Sequence, residues 1–567
     1  MAEIANTETT RRNENMRICL VSQPSAASPD RQTGVTRKSG SFVAFCAMLA
    51  ALSGCGDDSP AEGKLGLVQG FYGGVIADSP RAAEVGRDIL AIGGNATDAA
   101  VAAYFAMAVT LPSSASIGGG GACLVHNSKA RKTEALIFLT KPSTGGGAGV
   151  PVGVPGNVRG MAALHARYGA VRWEELVAPG ERLARLGTVT PRALIADLQV
   201  AAAAVQQDPV TKRVFSRSDG SLLREGDPWV QEDLAATLGG IRLRGAGDFH
   251  IGPLARQYVA AVRGAGGQLS TEDMRDQTPE WREPITLNWG NHKVYFAPPP
   301  AGGGLLSAQM WSLLESRDAY RSGGDANRAH VAAEMSKRAY AERSNWLDSR
   351  DAFVADPATV LSQTRIDTLL SSYRLDQVTP AAALPQPPRQ RPNDAPAAAL
   401  VAVDRFANAV ACSFTTNGFF GGARIAGSTG VLIAPAPGIN GRGPAAIGPM
   451  IVANTNTGDF FYASAASGGT SGPAVMTEVA ANALLLGKPL VEAVQLPRVL
   501  HTGIPDQVYA EPGAADALRA RGHAVEQIPV LGQVSAVYCV EGLHAKRSTC
   551  TVAADERGHG LGLSAPQ

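Results

Sequence analysis

The sequence predicts a layered α+β sandwich. Three features predict it. From Gly74 to about Leu375 the pattern is mostly helical with Gly-rich joints; a Pro/Ala-rich break runs from Thr379 to Ala399; and beyond it short apolar, strand-like runs alternate with helices. No repeat of fixed period competes with this reading.

The elements follow in order. Ala82–Ile92 and Asp98–Val109 are expected as helices joined by Gly93-Gly94-Asn95, the Gly pair ending the first and Asn95 or Thr97 capping the second. Ala122–Asn127 and Glu134–Leu139 are expected as strands. Helices are then expected at Asn157–Tyr168, Trp173–Leu186, Leu254–Gly264, Leu305–Leu314 and Arg328–Trp346. Pro385, Pro387, Pro388, Pro392 and Pro396 bar a helix from the next stretch, which is expected as an exposed, partly extended linker. Strands are expected at Val401–Val403, Ala409–Phe414, Val431–Ile433, Met450–Val452 and Phe460–Ser464. Helices at Ala474–Leu486 and Leu490–Gln495 come next, and a hairpin of Ser535–Val540 with Ser548–Val552 closes the chain.

The 567 residues exceed the usual span of one small domain. With 45% hydrophobic and 18% charged residues the chain can bury a sizeable core. Its net charge of +1, from 51 basic and 50 acidic residues, gives no field for nucleic acid and no acidic tail. No HExxH, GxSxG or phosphate-binding loop occurs, so neither a metal nor a cofactor is expected. His126, His330 and His501 read as packing or surface residues.

Arg37-Lys38 precede the apolar run Phe42–Leu52 and then Ser53-Gly54-Cys55. A basic flank, a short apolar core and small residues at its end describe a secretory signal. The run falls short of the roughly 20 residues a bilayer-spanning helix needs. Leu52–Cys55 also resembles the bacterial lipobox, in which the cysteine is acylated; the other reading is a plain signal peptide with an incidental cysteine. The polar stretch before Arg37 is long for a signal, which suits a start at Met16 or nearer Arg37. Residues 1–54 are thus assigned to the signal and 55–62 to a tether. The expected location is the bacterial envelope, lipid-anchored through Cys55.

Export alters the reading of the cysteines. Cys539 and Cys550 flank the closing hairpin, where a bridge fits an oxidising compartment and two reduced thiols are the alternative. Cys123 and Cys412, in apolar strand-like runs, read as core residues.

Several segments resemble, in order, the gamma-glutamyltransferase family. They are Gly93–Ala102, Ile117–Gly121, Gly153–Gly156, Trp173–Pro179, Pro298–Gly303, Ala339–Ser344 and Leu496–Arg498, together with Leu400–Asp404, Asn408–Val410, Thr415–Asn417 and Phe420-Gly421. The resemblance implies a four-layer αββα sandwich of the N-terminal-nucleophile hydrolase type. It divides the chain into a large-subunit-like region 63–380, a linker 381–399 and a small-subunit-like region 400–567. It implies acyl transfer: a threonine freed by autocatalytic cleavage attacks a γ-glutamyl amide, and two glycine amides hold the oxyanion.

In the register set by Asp404, Asn408, Thr415 and Asn417, the nucleophile position is Ala397. The resemblance places the oxyanion pair at Gly468-Gly469, the threonine that supports the nucleophile at Thr415 and a substrate contact at Asn417. The arginine that clamps the glutamate carboxylate is replaced by Leu139, the paired serines by Ala445-Ala446, and the segment from Ala434 lacks its acidic residues and is shortened. Loss of such a nucleophile costs about a millionfold in turnover. Cutting before Ser413, Thr415 or Thr416 instead would strip the first strand from the small-subunit-like region. The expectation is a catalytically inactive, uncut family member that binds an unknown small molecule or an envelope protein. The alternatives are an active γ-glutamyl hydrolase, transferase or related amidase with a non-standard nucleophile, and a scaffold in a surface complex.

Overall fold

The computed structural model describes residues 71–567 apart from 146–148, 349–351, 393–395, 439–445 and 566–567. The signal-like run, Cys55, the tether and Ala445 lie outside the described residues.

Two antiparallel sheets carry the architecture. The first has seven strands in the order Glu280–Arg282, Lys132–Ile137, Gly120–Asn127, Ala409–Thr415, Ala398–Asp404, Gly73–Ala77 and Leu561–Ser564. The second has six, in the order Ile285–Trp289, His292–Phe296, Met450–Asn454, Phe460–Ser467, Gln533–Cys539 and Cys550–Ala553. The large- and small-subunit-like regions interleave in both sheets: Gly73–Ala77 pairs with Ala398–Asp404, and His292–Phe296 with Met450–Asn454.

The period of two along the strands sorts the side chains into layers. In Ala398–Asp404, Ala398, Leu400 and Ala402 point outward to the helices, while Ala399, Val401 and Val403 point at the second sheet. That inner layer is built largely of small residues, among them Ala122, Ala135, Ala409, Ala411, Ala463 and Ala465. Helices Pro80–Ala91 and Ala96–Thr110 cover the first sheet; Gly302–Glu315 and Gly472–Ala480 cover the second. The result is the αββα layering that the resemblance implies.

Ala96–Thr110 is buried along its whole length, so its start needs internal caps. Asn95 accepts from the Asp98 N–H at 3.0 Å, and Asp98 accepts from the Asn95 N–H at 3.0 Å. This is a reciprocal capping box. Asp98 also takes the Ala170 and Val171 N–H groups, tying the helix start to a distant loop.

Several expectations need correction. Cys123 and Cys412 are not separate core thiols: they face each other in register on adjacent strands and form a disulfide across 289 residues of chain. Cys539 and Cys550 are likewise opposite in register and bonded. Val431–Ile433 is not a strand, since only Leu432 bridges to Ile425; the flanking Gly430 adopts a positive φ that turns the chain. The strand expected from Val401 begins at Ala398, so the linker ends at Ala397. The helix expected over Ala474–Leu486 is Gly472–Ala480 followed by a wider π-helical turn, Ala481–Leu485.

Candidate functional site

The site is assembled where the linker enters the first sheet. Ala397 directly precedes the strand Ala398–Asp404 and is 9% exposed. The carbonyl of Pro396 accepts the Thr415 hydroxyl at 2.8 Å, and the Asn417 N–H donates to that same hydroxyl oxygen at 3.0 Å. Two residues beyond Ala397, the Ala399 N–H donates to the Asp78 carboxylate at 2.9 Å, and the Asp78 N–H donates to the Ala399 carbonyl at 3.2 Å. The peptide that enters Ala397 is therefore fixed from both sides by the strand ends of the first sheet.

The predicted residues divide into two groups. Ala397 and Gly468 line one cavity of about 230 Å³. Gly468 and Gly469 have φ of +112° and +57°, in the left-handed region that favours glycine, and they turn the end of Phe460–Ser467 into the helix at Gly472. A turn feeding a helix start suits negative charge. The other group serves packing. Leu139 is buried in the layer between the sheets with Ala301, Ile447, Ala465 and Ala397 itself. Asn417, at φ +59°, gives its side-chain amide to Thr140 at 2.7 Å and to the Pro435 carbonyl at 2.9 Å. Ala446 is half-buried against Gly303.

Neither Ser413 nor Thr416, hydroxyls on and just after the neighbouring strand, is paired with a base among the described residues. Thr416 donates to the carbonyls of Ser113 and Gly418, each at 2.8 Å. The Ser413 hydroxyl is buried with no hydrogen-bond partner among the described residues. A hydroxyl becomes a competent nucleophile through an adjacent base or a lowered pKa. The first of these conditions is not met at these two positions among the described residues.

Two acidic residues that sequence reasoning missed face the cavity, Asp78 and Asp197. Burial raises Asp78 to a pKa of about 6, against the opposing effect of the Ala399 N–H and the Ser467 and Ser535 hydroxyls. Burial raises Asp197 to about 7, opposed by its hydrogen bond with Ser113 at 2.5 Å and reinforced by the charge of Asp78. Arg557 also lines the cavity but is held by Glu511 at 2.6 Å and Asp555 at 3.2 Å. Asp555 in turn pairs with Arg498 at 2.6 Å, which explains the Leu496–Arg498 segment as a buried anchor for the end of the chain.

The histidines pack, as expected, but His330 does more than that. It hydrogen-bonds His523 at 2.8 Å, and with Glu334 the two form a group able to surround a metal ion. Glu334, however, already carries Lys337 at 3.2 Å and Arg338 at 2.6 Å, so the charge a cation would need is taken. His126 bonds Thr133 at 2.9 Å and the Gly458 carbonyl at 2.8 Å; His501 bonds Asp506 at 3.1 Å.

Comparison with known proteins agrees with this fold. The family model for gamma-glutamyltranspeptidase matches residues 82–435 and 440–564. The chain is 29% identical to the glutathione hydrolase proenzyme of Escherichia coli (strain K12), over 83% of this chain and 88% of that protein. It is 30% identical to the glutathione hydrolase proenzyme of Pseudomonas aeruginosa, over 87% of this chain and 94% of that one. Among solved structures, cephalosporin acylase from Bacillus halodurans shares the fold with a TM-score of 0.75 at 23% identity, covering 88% of this chain and 96% of that one. Matched across nearly the whole described region, the chain belongs to the gamma-glutamyltranspeptidase family.

Proposed function

We propose that this chain is a catalytically silent, uncut member of the gamma-glutamyltranspeptidase family, which uses the inherited site to bind rather than to turn over. The observation that carries the reading is Ala397. It occupies the nucleophile's place in the register, and a methyl group has no lone pair with which to attack either its own preceding carbonyl or a γ-glutamyl amide. Cleavage and turnover are therefore lost together. The surroundings support the same reading: Leu139 sits in an apolar layer with no guanidinium, and the Asn417 amide is spent on Thr140 and Pro435.

We further propose export, with a lipid on Cys55 holding the protein at the bacterial envelope. The two disulfides support an oxidising compartment. The test is twofold. Purified protein assayed with a chromogenic γ-glutamyl anilide is expected to release no dye above a no-protein control. Labelling of cells with a fatty-acid probe is expected to tag the wild type and not Cys55→Ala. Dye release proportional to protein, or a label indifferent to Cys55, contradicts the corresponding half of the reading.

A further inference from the structure

The cavity beside Ala397 has an unusual charge balance for its size. Asp78 and Asp197 both face it, yet among the described residues neither carboxyl is paired with a cation. Asp78 is held by the Ala399 N–H and by serine hydroxyls; Asp197 by the hydroxyls of Ser113 and Ser114. Arg557 is neutralised by Glu511 and Asp555 and also gives hydrogen bonds to the Val494 and Leu496 carbonyls. Burial and the charge of Arg192 lower the pKa of His559, which also lines the cavity, with Glu225 opposing. Two carboxyls thus face one small cavity, and among the described residues neither forms an ion pair. Buried charge of that kind is costly unless it is paired.

A larger groove lies beside this cavity and shares one wall residue with it, His559. The groove has a volume of about 1000 Å³, and its walls include Leu183, Leu186, Val189, Trp229 and Val230. The charged residues on that groove pair with each other, Arg81 with Glu84 at 2.6 Å and Arg192 with Glu225 at 2.9 Å. Its character is therefore apolar and neutral, next to a polar, acidic inner chamber.

We infer that the inherited site takes an organic cation, an alkylammonium group seated between Asp78 and Asp197 with its hydrocarbon body running past His559 into the apolar groove. This rests on the reading of the site as a binding site without turnover and names its ligand class. An ammonium group supplies N–H donors to both carboxyls and removes their mutual repulsion. An anionic ligand meets the opposite field from the two carboxyls.

The test is calorimetric titration of the full chain with hexylammonium, with hexanoate as the anionic control of equal length and methylammonium as the short one. Saturable binding of hexylammonium, weaker binding of methylammonium and none of hexanoate are expected. Asp197→Asn is expected to weaken hexylammonium at least tenfold, and Asp197→Glu to retain most of the affinity, both with unchanged thermal unfolding. Asp78→Asn is the less decisive variant because Asp78 also holds the Ala399 backbone. Equal binding of hexanoate, no binding of hexylammonium, or indifference to Asp197→Asn overturns the inference. An uncut, inactive protein that binds no amine sinks only this ligand assignment. A cut protein that turns over γ-glutamyl anilide sinks the reading beneath it.

Discussion

The Thr415 hydroxyl donates to the carbonyl of Pro396 at 2.8 Å, so the residue expected to support a nucleophile instead holds the peptide bond that a nucleophile would break. The bond to Ala397 is thus presented in a defined orientation, between Thr415 on one strand and the Asp78–Ala399 pair on the next. What is missing is the attacking oxygen. On the proposed reading two kinds of loss are separate, one at a single atom and one spread through the substrate pocket, and they predict different behaviour.

Restoring the atom should restore the cut alone. Ala397→Thr is expected to yield two fragments meeting between residues 396 and 397 on a denaturing gel. Adding Thr415→Val in that background should slow their appearance at least tenfold, since it removes the hydroxyl that orients the carbonyl. Neither protein should hydrolyse γ-glutamyl anilide.

Restoring the clamp residue should harm the protein. Leu139 lies in the layer between the sheets beside Ile447 and Ala465, where an added guanidinium has no carboxylate partner. Leu139→Arg is expected to destabilise the fold by about 3–5 kcal/mol, the usual cost of an uncompensated buried charge. Urea unfolding measures it, and a midpoint equal to that of the wild type would show that the pocket still accepts the residue.

The Cys123–Cys412 disulfide closes 289 residues of chain between neighbouring strands. Replacing both cysteines with alanine should cost about 2–4 kcal/mol. Denaturant melts of the double variant with and without reductant should coincide except for the contribution of Cys539–Cys550.

Acidification should loosen the contact between the helix Gly324–Trp346 and the loop at His523. Burial holds both His330 and His523 below the ordinary imidazole pKa, His523 at about 4, with Lys337 and Arg521 adding positive charge nearby and Glu334 opposing them. The unfolded chain therefore takes up these protons first. The stabilisation is full above an unfolded imidazole pKa of about 6.5 and is lost as pH falls from there towards about 4. Buried acids such as Asp78 and Glu478, whose pKa values are raised, contribute with the opposite sign, so the readout is a difference. Between pH 7 and 5 the wild type should lose more stability than His523→Gln; parallel pH profiles would contradict this.

Local chemistry was legible in the sequence wherever neighbours in the chain carry it. Asn95 caps its helix through Asp98, three residues away, and Asp404 and Asn408 mark a strand turn through bonds four residues apart. The hairpin of Ile285–Trp289 and His292–Phe296 was missed although its signal is present, alternating apolar residues around Gly290-Asn291, with Gly290 at a positive φ. The Cys123–Cys412 bond and the Asp78–Asp197 pair were not legible. Their partners lie on elements far apart in sequence, and only the pairing of Gly120–Asn127 with Ala409–Thr415, or the closing of the cavity, brings them together.

The central claim, that this family member remains uncut because Ala397 stands in the nucleophile's place, is tested most directly by intact mass spectrometry of the purified wild-type protein. A single polypeptide continuous through the Pro396–Ala397 bond is the predicted result. Two equimolar fragments that meet at that bond would contradict it.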